Sequence, residues 1–142
     1  MRLSPKAIIG SALLIISYGF WFLYVYVLQN SLFYYYPWID IPFHIGGGFV
    51  ISLLIVLLVL FKHSEIEVLD LSHFQFITLW GTMMIGVLWE YYEFFFKLNK
   101  VEGSIVIDTI ADLINDFIGA VIGLALAYWV IRKYQRKKHN NF

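Results

Sequence analysis

The chain contains no cysteine, which excludes disulfides, thiolate metal sites and cysteine nucleophiles and leaves its redox compartment open. Charge is also scarce: Asp, Glu, Lys and Arg make up 14% of its 142 residues, against about a quarter in an ordinary soluble domain. With 61% of its residues hydrophobic, it has too little polar surface to cover a soluble fold. Net charge is absent as well, 10 Lys plus Arg balancing 10 Asp plus Glu, so nothing in the balance points to nucleic acid or to an acidic partner. No linker, low-complexity tract or second domain interrupts the chain, and no H-E-x-x-H or comparable catalytic signature occurs in it.

Present instead are four apolar stretches, Ala7 to Leu28, Phe43 to Phe61, Phe74 to Phe96 and Thr109 to Ile131. Each holds about 20 residues, enough at about 1.5 Å per residue to cross a hydrocarbon core of roughly 30 Å. Helices satisfy their own backbone groups in lipid, so the expected fold is all-α: a single transmembrane domain over residues 1–142, built as an integral membrane four-helix bundle. The first stretch is longer than the apolar region of a signal peptide and has no small-x-small exit, so it reads as a retained span.

Eight of the ten cations fall on one side of this topology. Arg2 and Lys6 precede the first span, Lys62 lies between the second and third, and Arg132, Lys133, Arg136, Lys137 and Lys138 follow the fourth, leaving only Lys97 and Lys100 opposite. Both termini are then expected in the cytoplasm, with Asp40 and the Lys97 to Asp108 loop outside. Aromatic residues gather at the expected interfaces: Phe33, Tyr34, Tyr35, Tyr36 and Trp38 outside, Tyr128, Trp129 and Tyr134 inside. They read as headgroup anchors, and the Phe33 to Trp38 run alternatively as a lipid-binding lip or short interfacial helix. The Lys62 to His73 segment reads as a plain connector.

Ionisable residues inside such spans are costly and point to function. Asp108, Asp112 and Asp116 are spaced by four in DTIADLINDFIGAVIG, which puts them on one face of the fourth helix. Gly119, Gly123 and Ala127 continue the stripe and would let a neighbouring helix approach closely. Glu90 and Glu93 share a face near the end of the third span, with Gly86 one turn before them and Lys97 one turn after. Asp40 and His44 open the second, followed on the same face by Gly48 and Ser52, with Pro42 tolerated in the first turn. The topology carries all seven groups to the outer half of the bundle.

So many carboxylates cannot all stay ionised in a low dielectric, so protons or bound cations must complete the set. The candidate ligands are Asp40, His44, Glu90, Glu93, Asp108, Asp112 and Asp116, and the donors do not distinguish Mg2+, Mn2+, Ca2+, iron or zinc, although one histidine argues against a structural zinc site. Plainer readings stand beside several of them. Asp108 reads equally as a helix N-cap, Glu93 with Lys97 as an exposed ion pair, His44 as a packing residue, and Asp40 as a loop carboxylate. A weak repeat relates Asp40, His44 and Gly47 to Asp112, Asp116 and Gly119, as if two helical hairpins were related by an axis along the membrane normal.

The pattern D-x-x-x-H-x-x-G in the second span, a late glutamate in the third and D-x-x-x-[ND]-x-x-G-A in the fourth resembles the VanZ-like membrane proteins, and DTIADLINDFIGA resembles the related YjdF-type inner-membrane proteins. The resemblance covers roughly residues 38–125. It implies a small multi-pass protein of the plasma (inner) membrane at a bacterial-type cell envelope, in a group linked to glycopeptide resistance but without a settled biochemical activity. The motif falls on Asp40, His44, Glu90, Asp112, Asp116 and Gly119; Asp116 stands where asparagine is frequent, and Glu93 is an addition.

Three functional classes follow. One is a metal-dependent hydrolase or transferase acting on lipid headgroups or lipid-linked envelope precursors, with Glu93 as general base and His44 among the ligands. The second is proton- or cation-coupled transport of a lipid or small solute, which with four helices would require a homo-oligomer. The third is a structural membrane subunit clamped by its metal.

Overall fold

The computed structural model describes residues 3–62, 71–96 and 105–139, with the side chains of residues 71 and 137–139 left aside. Arg2, Lys97, Lys100, the Glu93 to Lys97 pairing and most of the connector before His73 lie outside the described residues. Among those described there is no strand. Helix α1 runs Pro5–Gln29, α2 Leu32–Tyr35, α3 Asp40–Lys62, α4 Leu71–Phe96 and α5 Ile105–His139, with a 3-10 turn at Pro37–Ile39 before α3.

Local chemistry sets several of these boundaries. The Ser4 hydroxyl accepts from the Ala7 N–H at 3.2 Å and Pro5 occupies the first turn of α1, where no internal N–H bond is lost. At the other end the Asn30 side-chain amide donates to the Tyr26 carbonyl at 2.8 Å. Ser31 then adopts a left-handed conformation, φ 52°, which turns the chain into α2. The Phe33 to Trp38 run thus does form a short helix and a 3-10 turn, with Tyr34, Tyr35, Tyr36 and Trp38 exposed. Phe33 is its inward anchor, its ring 5.3 Å from that of Phe43 and 6.1 Å from that of Tyr24.

Three helical segments are long and apolar enough to cross a membrane: Pro5–Gln29, Pro37–Lys62 and Ile105–Arg136. Helix α4 is as long, at 26 residues, but His73, Gln75, Glu90 and Glu93, with its tryptophans and tyrosines, dilute its apolar character. Both α3 and α5 exceed the stretches expected from hydropathy. Asp40 is the first residue of α3 rather than part of a loop, and α5 continues through Arg132, Lys133 and Arg136. Asp108 is not an N-cap, because α5 begins at Ile105 and Asp108 lies inside its first turn.

Helix α3 is the centre of the molecule. It packs along its length on α5, with α4 against both and α1 mainly against α3. The buried faces repeat every three to four residues: His44, Gly48, Ser52, Leu53, Val56 and Leu60 on α3, and Asp112, Asp116, Gly119, Ala120, Gly123, Leu124, Ala127 and Ile131 on α5. An apolar core of Ile9, Leu53, Val56, Leu60, Phe74, Leu124, Ala127 and Ile131 fills one end. The polar members of the same faces meet at the other.

Candidate functional site

The site begins with how closely α3 and α5 approach. A Cβ at Gly48 would run into the carbonyl of Asp116, one at Gly119 into the carbonyl of Ile45, and one at Gly123 into the Ser52 hydroxyl and the Phe49 carbonyl. The seam therefore admits only glycine at three points, and the helices meet backbone to backbone. Gly47, the position matched by the internal repeat, has open space around it. The contact falls one residue later, at Gly48, so the repeat fails at its third position.

This approach brings the head of α3 against the first turns of α5. His44 is buried, with both ring nitrogens facing carboxylates: Nδ1 lies 3.3 Å from Asp116 Oδ1, and Nε2 lies 3.8 Å from Asp40 Oδ1 and 3.8 Å from Asp112 Oδ1. The first is a long hydrogen bond; the other two are too long to be one. One ligand atom from each of Asp40, His44 and Asp112 falls within 4.8 Å of the other two. The Asp112 and Asp116 side chains are almost wholly enclosed, whereas the Asp40 side chain is 37% exposed. Asp40 is the rim of the cluster, and Asp112 and Asp116 lie enclosed beneath it.

Helix α4 closes the third side. Phe74, Thr78, Thr82, Gly86 and Glu90 recur at spacing four and all are buried. The Thr78 and Thr82 hydroxyls donate to the carbonyls of Phe74 and Thr78, at 2.9 and 2.8 Å, so the apolar neighbourhood leaves neither unpaired. A Cβ at Gly86 would come within 2.6 Å of Asp116 Oδ2, which is why that turn of α4 carries no side chain. One turn on, Glu90 Oε2 accepts from the Thr109 hydroxyl at 2.9 Å. Two carboxylate oxygens, Glu90 Oε1 and Asp112 Oδ2, are buried without a hydrogen-bond partner among the described residues.

The structure thus joins Asp40, His44, Asp112 and Asp116 through one imidazole, and buries Glu90 beside them on Thr109. Glu93 and Asp108 are only half-buried. Glu93 is within electrostatic reach of Asp40 and Glu90, and Asp108 of Asp112 and Glu90; the carboxylates at ligand distance from the histidine are those of Asp40, Asp112 and Asp116. Thr109, Thr78 and Thr82 are contributors that the sequence reading passed over. For Thr78 and Thr82 the signal was available, since they continue on α4 the same four-residue spacing as Gly86 and Glu90.

Three carboxylates around a single imidazole carry net negative charge even if the ring is protonated, and burial makes such an excess costly unless something positive compensates it. The arrangement can therefore hold a proton shared among the carboxylates or a divalent cation at the Asp40, His44 and Asp112 atoms. No curated protein and no solved structure matches the chain. Residues 6–133, nearly its whole length and every member of the site, match the family described as "Predicted membrane protein (DUF2238)", and the chain accordingly belongs to that membrane protein family.

Proposed function

We propose that the protein crosses the membrane four times, with both termini in the cytoplasm, and binds one divalent cation between α3 and α5 near the outer surface. The carrying observation is the pair of enclosed carboxylate oxygens without partners, Glu90 Oε1 and Asp112 Oδ2, in a pocket already rich in negative charge. Leaving a buried polar atom unmet costs about 1–3 kcal/mol, and more for a charged group. A cation on the Asp112 carboxylate meets one of these two groups directly and offsets the negative charge around the other.

Spacing supports the ligand assignment. Oxygen and nitrogen donors at about 2.0–2.4 Å from an ion stand roughly 3–4 Å apart, and the His44 Nε2 distances to Asp40 and Asp112 are 3.8 Å. With Nε2 on the cation, Nδ1 carries the ring proton and donates to Asp116, so Asp116 is the carboxylate that orients a ligand histidine. Helix α4 is the fourth crossing in this reading. Its 26 residues extend about 39 Å at about 1.5 Å per residue, and its buried stripe cannot leave the bilayer while Glu90 stays in the cluster.

Three protein ligands leave coordination positions open, and the half-exposed Asp40 leaves a way in from the rim. A cation there would polarise a phosphoryl or ester oxygen. Glu93, beside the rim, would take the proton of an attacking water. The arrangement therefore favours a hydrolase or transferase acting on a lipid headgroup or lipid-linked envelope precursor.

The test is headgroup release by the reconstituted protein from phospholipids and a polyprenyl phosphate, with Mg2+, Mn2+, Ca2+ and Zn2+ each supplied. Release is expected with at least one metal and lost in Asp112→Asn and Glu93→Gln. No release under any of these conditions overturns the enzymatic reading, and ion-driven flux abolished by Asp116→Asn would put transport in its place.

A further inference from the structure

The far end of α5 carries a feature that the acidic site does not use. Tyr128, Trp129, Arg132, Lys133 and Arg136 line an open, shallow groove of about 450 Å³ between side chains on the surface of α5. Arg132 lies over the Tyr128 ring at 4.8 Å and Lys133 over the Trp129 ring at 4.6 Å, so two cations are held at fixed positions by aromatic planes one turn earlier. Arg136 follows Arg132 by four and Lys133 by three, which completes the patch on one face. Arg132, Lys133 and Arg136 are exposed, and none pairs with a carboxylate among the described residues.

Depth identifies what meets this groove. Twenty residues separate Asp112 from Arg132, about 30 Å of helix at about 1.5 Å per residue, which matches a hydrocarbon core of roughly 30 Å. In the membrane-crossing arrangement proposed above, on which this inference rests, the cations sit at headgroup level in the leaflet opposite the acidic cluster. Trp129, 57% exposed, lies just inside them, where an acyl chain begins.

We infer that this groove is a binding site for an anionic phospholipid, its phosphate held by Arg132, Lys133 and Arg136 and its glycerol and upper acyl chain lying on Tyr128 and Trp129. Arginine supplies planar, bidentate donors to phosphate oxygens, and lysine a point charge. The aromatic planes keep those donors from collapsing onto the helix. A zwitterionic lipid offers the same phosphate but brings its own cation into the patch, so it is disfavoured.

The test is lipid retention by the purified protein, measured by native mass spectrometry with phosphatidylglycerol and phosphatidylcholine of identical chains. Each cation at an anionic surface contributes about a fivefold preference, so the wild type should retain phosphatidylglycerol on the order of tenfold or more over phosphatidylcholine. Arg132→Gln/Lys133→Gln/Arg136→Gln should abolish that preference at unchanged helical content, while Lys133→Arg should keep it. Equal retention of the two lipids by the wild type overturns the inference without recourse to any variant, as does an unchanged preference in the triple variant. Displacement of the lipid by inorganic phosphate alone would also overturn it, since the site would then recognise the free anion and not the lipid.

Discussion

Helices α1 and α5 are both long and apolar enough to cross a membrane, yet the molecule uses them in opposite ways. Only 6% of the most apolar window of α1 is buried, against 39% for α5. Helix α5 carries its small and acidic residues on one stripe and locks backbone to backbone with α3, whereas α1 offers an all-round apolar surface with Leu14, Ile15, Tyr18, Trp21 and Phe22 exposed. Hydrophobicity alone gives a helix in lipid no reason to choose a partner, because lipid tails are as apolar as leucine. Close approach and polar contacts make the choice.

The comparison breaks most visibly at glycine. Gly119→Leu drives a side chain into the Ile45 carbonyl and should separate α3 from α5, costing about 3 kcal/mol or more; thermal unfolding in detergent should show a large drop, with loss of divalent cation binding. Gly48→Ala meets the Asp116 carbonyl and should cost about 1–3 kcal/mol, whereas Gly47→Ala, one residue away in open space, should be neutral or slightly stabilising. Equal effects at the two positions would mean that the seam is not where the structure puts it.

Smaller changes sharpen the account of the site. Asp116→Asn leaves the seam intact but weakens the orientation of His44, and should lower divalent cation affinity about 10–100-fold, read by titration calorimetry. Gly86→Ala pushes on Asp116 Oδ2, and should reduce stability by about 1 kcal/mol with a lesser loss of affinity. The smallest effect belongs to α1: Gly19 has nothing within 4 Å of an added Cβ, so Gly19→Ala should stabilise by up to about 1 kcal/mol through helix propensity. Glycine to alanine thus changes sign between the close contacts at Gly48 and Gly86 and the open face of α1 at Gly19.

Much of this was legible before any coordinates. The Asp112, Asp116, Gly119, Gly123 and Ala127 stripe is visible because a helix repeats every three to four residues, and small residues beside acidic ones mark a face turned to protein. Glu90 could be placed through Gly86 one turn away. The rest required the third dimension. Of the three adjacent glycines Gly46, Gly47 and Gly48, the four-residue spacing from His44 points to Gly48 and the internal repeat to Gly47, and the crossing of α3 and α5 decides for Gly48. Asp108 passes for a cap because it opens the polar stripe, whereas α5 already includes Ile105, Val106 and Ile107, and the sequence places Ser104, a residue type that caps helices, immediately before them. Nor does α1 betray its partner, since a uniformly apolar helix has no period from which to read a buried face.

In the proposed site a divalent cation on Asp40, His44 and Asp112 compensates the carboxylates enclosed between α3 and α5. Elemental analysis of the detergent-purified protein, wild type beside Asp112→Asn, addresses it directly. The wild type should carry close to one equivalent of a single divalent metal and the variant little or none at unchanged helical content. A wild type free of divalent metal after purification in metal-supplemented buffer, or a variant that retains the full equivalent, would contradict it.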